Sequence, residues 1–335
     1  MLIESLEMYI GAGLSVDAAL RAAAGGVPEK RRPPLQHLLR SVEGGGTIGD
    51  SLGSVIHVPP VVCALIVCGE SAGDLAGGFA AARKVMERED DLRKKCLSAL
   101  AYPMIIGLAA AGLTLWLMRG IMPQITPMLR GLRVELPIMT RIVMRLSEGM
   151  VMFGAYGAIV LVILVAAIVF AYRRSPVFRY RVHALVMSIP LVGRSVRSYG
   201  LGIFLGSCGA LVESGMSLPQ ACRGAASATP LLPLRAVLTA ETLAVERGTG
   251  LGVALSLVHV PAYVTSLVSA GEVSGSLGVS LLRASSIIDR DLEHALRRMT
   301  SLIEPVMMAG MGCAVGAVAV SIMMPIYDIS KAIQQ

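Results

Sequence analysis

The sequence predicts an all-α integral membrane protein in which two repeated cytoplasmic helical bundles are joined to three transmembrane helices. Three observations predict it. The apolar share is 54% and the charged share only 16%, far from the composition of an ordinary soluble domain. Three runs, Leu97–Met118, Gly149–Tyr172 and Pro305–Tyr327, contain no charged residue. Each has the roughly 20 residues that a helix needs to cross the hydrocarbon. Finally, landmarks in the first third of the chain return 202 residues later, as a repeated structural unit requires.

Residues 1–96 form the first bundle in this reading. They are rich in Ala, Leu and Gly, with breaks at Gly25-Gly26-Val27-Pro28, Gly44-Gly45-Gly46 and Val58-Pro59-Pro60. Helical periods fill the intervals and β-alternation is scarce. Pro59 or Pro60 suits a first helical turn, where the missing N–H costs nothing. The start, Met1 to Glu7, lacks a basic stretch followed by an apolar core, so no cleaved signal is expected. Residues 97–118 are the first span, 119–148 a periplasmic loop, and 149–172 the second span, which returns the chain to the first side. Residues 173–304 form the second bundle, 305–327 the third span and 328–335 a periplasmic tail. Shorter uncharged stretches such as Leu52–Gly69 carry Pro and His in the middle and read as helices of the bundles.

Charge sets the orientation. Arg93-Lys94-Lys95 precede the first span, Arg173, Arg174, Arg179 and Arg181 follow the second, and Arg297-Arg298 precede the third. All three clusters fall on one face, which the positive-inside rule makes cytoplasmic. The loop Arg119–Glu148 dissents, with five Arg against two acids, but three concordant clusters outweigh it. The N-terminus is therefore expected inside and the C-terminus outside. The net charge of +7 is explained by these loops, and no basic stretch is interleaved with aromatics as nucleic-acid binding would need.

The repeat is read from paired landmarks. Ala12-Gly13-Leu14-Ser15 answers Ser214-Gly215-Met216-Ser217, Val58-Pro59 answers Val260-Pro261, Gly69-Glu70 answers Gly271-Glu272, and Pro103 answers Pro305. The Gly-rich turns Gly44–Gly49 and Gly248–Gly252 align with a one-residue shift. Each copy is a bundle followed by a span entering the membrane from the same side, so the repeats are parallel.

The sharpest shared motif is Gly-Glu-x-[Ser/Ala]-Gly-x-Leu, at Gly69, Glu70, Gly73 and Leu75 and again at Gly271, Glu272, Gly275 and Leu277. Glycines of this kind take positive φ and let backbones approach closely in a tight helix-to-helix turn. Asp74 and Ser276 stand where the next helix wants an N-cap. At a helix end Glu70 or Glu272 faces an unfavourable dipole unless it turns to accept amides from the next helix start or meets an Arg. Its expected role is to lock the turn, with partner binding as the alternative. After the motif, Leu277, Leu281, Ala284, Ile288, Leu292, Ala295 and Met299 recur at helical spacing. The first copy keeps Leu75, Phe79, Ala82, Met86 and Leu97 but has Asp90 and Arg93 in place of Leu292 and Ala295. Its run Glu87–Lys95 is thus more solvated or meets something charged.

Several chemistries are excluded. No Gly-x-x-x-x-Gly-Lys-[Ser/Thr] and no His-Glu-x-x-His occurs, so neither a P-loop nucleotide site nor a metalloprotease centre is expected. The six cysteines show no Cys-x-x-Cys and read as buried free thiols. No cofactor or metal is expected. The predicted spans hold no ionisable side chain, which argues against an ion-coupled transporter. Gly49-Asp50-Ser51-Leu52 spells a hydrolase signature, and Asp291-Leu292-Glu293-His294 supplies an Asp-x-x-His. That chemistry wants the Ser at a strand end and an Asn at the oxyanion. The chain contains no Asn and the Ser lies in a helical bundle, so the match is read as chance.

The doubled motif, each copy followed by a charged helix and a Pro-marked span, resembles the platform protein of type II secretion and type IV pilus machines (the F/PilC family). So does the ending from Ser301-Leu302-Ile303-Glu304-Pro305 to Pro325-Ile326-Tyr327. The resemblance covers nearly the whole chain. It implies a non-enzymatic inner-membrane protein that links a hexameric cytosolic assembly ATPase to the extraction and stacking of pilins or pseudopilins, beside other inner-membrane assembly proteins and membrane lipid, as a homo-oligomer. A further cytosolic segment often precedes the first bundle in that family, whereas this chain starts almost at the repeat, as do the shorter members of type IVb pilus systems. A transporter or channel subunit is the alternative function.

Overall fold

The computed structural model describes residues 2–25, 32–55, 58–121, 162–190, 192–258 and 260–333, with isolated positions between 124 and 160. Among these residues every regular element is helical. The first copy holds α1 (Leu2–Gly11), α2 (Val16–Gly25), α3 (Arg32–Glu43), α4 (Ile48–Val55), α5 (Pro60–Ala72) and α6 (Leu75–Trp116), which ends in a π-turn at Leu117–Ile121. After it come α7 (Pro176–Ser188), α8 (Val192–Glu213), α9 (Leu218–Ala228), α10 (Leu232–Glu246), α11 (Leu251–Leu257), α12 (Ala262–Val273) and α13 (Leu277–Ile333). Residues 162–174 are also helical. The periplasmic loop 119–148 expected from sequence lies almost wholly outside the described residues, as do the start of the second span and the C-terminal tail beyond residue 333.

The repeat is written in the backbone. The positive-φ glycines among the described residues are Gly13, Gly45, Gly73, Gly215, Gly248 and Gly275, with φ between 70° and 92°. They form three pairs, two at the offset of 202 and one, Gly45 with Gly248, at the one-residue shift that the Gly-rich turns show in sequence. Each ends or follows a helix in the left-handed conformation that costs Gly nothing and a β-carbon-bearing residue about 1–2 kcal/mol. At Gly73 the amide bonds to Glu70 O at 3.2 Å and that of Asp74 to Gly69 O at 2.9 Å. This double bond is the Schellman stop, and it satisfies two carbonyls left over at the end of α5.

The chain divides into two compact units. The first comprises Met1–Lys95 and Tyr180–Ala295, so the two predicted bundles form one body. A single apolar cluster runs through it, from Leu6, Leu38, Leu65 and Phe79 of the first copy to Phe204, Leu238, Leu255 and Leu281 of the second. Within it α5 packs on both α8 and α9. The helix spacing read from sequence is recovered, because Leu281, Ala284, Ile288 and Leu292 are all buried. Leu97, by contrast, is exposed, because the first copy's face ends where α6 leaves this unit at Lys95.

The second unit comprises Cys96–Arg179 and Leu296–Gln335. Its apolar side chains face outward: Leu108 is 70% exposed and Val306 72%, and Ile163 and Phe170 are exposed as well. An apolar surface on this scale marks a lipid or protein contact. The helices α6 and α13 meet here at matching positions, with the Tyr102 hydroxyl donating to Glu304 Oε1 at 3.2 Å and the Thr300 hydroxyl to Ala99 O at 3.3 Å. Residues 102 and 304 are repeat equivalents, so the two long helices touch at corresponding positions of the two copies.

Among the described residues three helices are long and apolar enough to cross a membrane: Leu75–Trp116, Val192–Glu213 and Leu277–Ala317. The first and last contain most of the predicted first and third spans. In Val192–Glu213 67% of the apolar window is buried inside the first unit, against 0% for the other two. A helix whose apolar stretch is enclosed by its own unit is a core helix, and α8 is one over Gly200 to Gly209, where every residue is buried.

Candidate functional site

The two Gly-Glu motifs make two hinges, one at the α5–α6 junction and one at α12–α13. Gly69 packs against Gly78 so closely that a β-carbon at 69 would stand 2.7 Å from Gly78 Cα. In the second copy the partner is Ser280, whose hydroxyl would lie 2.3 Å from a β-carbon at Gly271. The hinge thus requires glycine at Gly69 and Gly271 for approach, and at Gly73 and Gly275 for φ of 74° and 70°. Leu75 and Leu277 are half-buried against the core. Pro103 and Pro305 lie inside the two long helices, in the second unit.

The glutamates cap helices, but not the ones that follow them. Glu70 Oε2 accepts the Ile48 amide at 3.0 Å, and Glu272 Oε1 the Leu251 amide at 3.1 Å. Ile48 and Leu251 open α4 and α11, so each carboxylate sits at the N-terminus of an earlier helix, where the dipole favours it. The physical reason is availability: Asp74 already caps α6, its Oδ1 accepting the Gly77 amide at 2.9 Å. Ser276 does not take the matching role, and its hydroxyl meets that of Ser274 at 2.7 Å.

A third feature joins the copies, and no sequence motif marks it. Arg88, on α6, donates from Nε and Nη2 to Asp289 Oδ2 of α13 at 2.8 and 2.7 Å, and from Nη2 to Gly202 O of α8 at 3.2 Å. Its head fills a notch beside α8, where a β-carbon on Gly206 would come within 1.6 Å of Nη1. Ser285 donates to the same Gly202 carbonyl at 3.0 Å. Burial pushes the Asp289 carboxyl above its ordinary range, and the Arg88 guanidinium pulls it part of the way back. Asp289 Oδ1 is buried without a partner among the described residues. Lys95 and Glu293 form a second, exposed pair at 3.1 Å. The sequence signal for this clasp was the charged break Glu87–Lys95 in an otherwise apolar face, together with the glycines of α8. Beside it lies a cleft of about 500 Å³ lined by Gly69, Asp74, Lys84, Arg88, Gly206 and Glu213.

The remaining candidates are quiet. Ser51 is buried in α4, its hydroxyl 2.8 Å from that of Ser41, while Asp291 is bonded by the Tyr263 hydroxyl. Burial first, and then that bond, push the Tyr263 phenol up to about 12. Only Cys208 and Cys222 of the cysteines are buried, with sulfurs 3.6 Å apart, whereas Cys63, Cys68 and Cys96 are half-buried and Cys313 exposed. The expectation of six buried thiols fails at Cys313 because the second unit turns its small and apolar residues outward. The Cys222 contact and burial hold the Cys208 thiol well above its usual range, which makes it inert. Among the described residues no group of three or more His, Cys, Asp or Glu side chains could hold a metal ion.

Two copies of one helical bundle on a shared core, each passing into a long apolar helix, define a membrane scaffold. The sequence model described as "Type II secretion system (T2SS), protein F" matches residues 2–123 and again 204–325. The second match begins and ends 202 residues after the first, which is the repeat found by reading landmarks. The chain belongs to the type II secretion system protein F family, a family of inner-membrane platform proteins and not of enzymes. It is 27% identical to the type IV pilus assembly protein PilC of Thermus thermophilus over 97% of its own length and 80% of that protein. It is also 27% identical to the type II secretion system protein F of Pseudomonas aeruginosa, covering 99% of this chain and 82% of the relative. PilC of Pseudomonas aeruginosa is 24% identical over 90% and 82%.

Proposed function

We propose that this chain is the inner-membrane platform of a type IV pilus or type II secretion machine, coupling a cytosolic assembly ATPase to the extraction and stacking of pilins or pseudopilins. The observation that carries the reading is the continuity of α6 and α13. Each starts at a glycine hinge, is held to the other by Arg88 and Asp289, and continues unbroken into an apolar stretch. Motion imposed on the fused bundles would reach the membrane helices without crossing a loop. Residues 1–96 and 173–304 face the cytoplasm in this reading, with the N-terminus inside and the C-terminus periplasmic, and residues 97–118, 149–172 and 305–327 cross the bilayer. The hinge residues Gly69, Glu70, Gly73, Leu75, Gly271, Glu272, Gly275 and Leu277, with Pro103 and Pro305, transmit force and form no reaction centre. The names of the relatives, which concern pilus assembly and type II secretion, support the same class of machine.

The test uses the full chain in nanodiscs with a hexameric assembly ATPase from the same cell. The chain alone should hydrolyse no ATP, the ATPase should co-purify with it, and hydrolysis should rise when the two are mixed. An ATPase that neither binds nor changes rate would overturn the coupling.

A further inference from the structure

The helix α7 (Pro176–Ser188) belongs to neither match of the repeated family model, which resumes at residue 204. None of its residues is buried, and the side it leaves open has an unusual composition. Val177, Arg181 and Leu185 recur at steps of four, one stripe of a helix. Val177 is 62% exposed and Leu185 68%, with Tyr180 also open beside them. The opposite side is anchored, because His183 Nδ1 accepts the Leu232 amide at 3.2 Å at the start of α10. An arginine between two uncovered aliphatic side chains is poorly suited to bulk water and equally poorly suited to a protein core.

The charge around it has one sign. No Asp or Glu occurs from residue 149 to residue 212, an interval that holds Arg173, Arg174, Arg179, Arg181, Arg194 and Arg197. Arg174 lies over the Phe170 ring at 5.1 Å, and Arg179 and Arg181 are exposed and form no ion pair with any described residue. By sequence α7 starts four residues after Tyr172, the end of the uncharged run. We infer that the open face of α7 is a lipid-docking surface that lies on anionic phospholipid headgroups, with Val177, Tyr180 and Leu185 entering the headgroup boundary and Arg181 meeting the phosphates. Exposed apolar residues interleaved with arginine are what an interfacial helix needs, and arginine snorkels from such a depth to the phosphates. Charge complementarity selects the occupant: anionic lipid attracts a cationic juxtamembrane segment, and an acid-free interval offers it no competing carboxylate. The inference rests on the reading that residues 149–172 cross the bilayer.

Hydrogen–deuterium exchange on the full chain tests it, in nanodiscs of phosphatidylcholine alone and in discs with roughly one lipid in three replaced by phosphatidylglycerol. Amides of 176–188 should exchange more slowly in the anionic discs, by roughly fivefold per arginine seated on headgroups. The variant Arg181→Gln should lose most of that difference while 192–258 keeps its protection. High salt should remove the difference in the wild-type chain as well, which keeps the test decisive if the variant misfolds. Equal exchange in both lipids, with 162–172 protected, overturns the lipid surface alone and leaves the face to a protein partner. Fast exchange of 162–172 in both lipids overturns the span reading and the inference with it. Protection that depends on protein density rather than lipid charge identifies a second copy as the occupant and overturns the inference too.

Discussion

Arg88→Ala removes three hydrogen bonds at once: two to Asp289 Oδ2 and one to Gly202 O. It also leaves a half-buried carboxylate, one of whose oxygens already has no partner among the described residues. Breaking a fully buried ion pair costs about 3–5 kcal/mol. The Arg88 and Asp289 side chains are 27% and 19% exposed, so water recovers part of that, and about 2–3 kcal/mol is expected. For a body of this size the loss corresponds to a fall in Tm of about 4–10 °C, measured by thermal unfolding of the detergent-solubilised chain. The defect also has a pH signature. Burial raises the folded-state pKa of Asp289 above the ordinary carboxyl value, and losing Arg88 removes the influence that lowers it. The folded state then holds its proton more tightly than the unfolded state, so stability falls as pH rises through that window. The deficit should be smallest near about pH 3, below the ordinary carboxyl range, where Asp289 is mostly protonated in both states, and full near about pH 7.5. Arg88→Met with Asp289→Leu should recover most of the loss, because an apolar pair does not leave a buried charge. A shift below about 1 °C at neutral pH, or a deficit equal at both pH values, would refute the clasp.

Glu272→Gln keeps an acceptor but loses the charge on the Leu251 amide, so about 1.5–3 kcal/mol of stability should go, seen as lower protein level. A variant that accumulates normally yet assembles no fibres makes Glu272 a partner contact instead. Gly73→Ala and Gly275→Ala force a β-carbon into left-handed backbone and should each cost about 1–2 kcal/mol, read by urea unfolding. Cys208 and Cys222 are buried with their sulfurs 3.6 Å apart and should resist alkylation until the chain unfolds; mass spectrometry after timed iodoacetamide exposure checks this.

The fold was legible where physics is local and repeated. Apolar runs, helical spacing and an offset of 202 require no knowledge of packing, and the backbone returns the same pairs in its positive-φ glycines. The hinge glycines were legible because few residues tolerate such turns. The glutamates were only half legible: the need for a helix N-terminus could be read from Glu70, but not that Ile48 rather than Gly77 would supply the amide. Fusion of the bundles was hidden, since it depends on which faces meet across more than a hundred residues. The clasp shares that cause. Arg88 and Asp289 are ordinary charged residues on two helices until α8 brings Gly202 and Gly206 beside them. Hydropathy alone also misleads at α8, whose apolar run is spent on the core.

The most direct measurement is fibre or pseudopilus output in a strain with a clean deletion of this chain. The platform reading predicts no surface fibres and no secreted substrate, with both restored by the wild-type chain and by Ser51→Ala. Normal fibres and secretion in the deletion strain would contradict it.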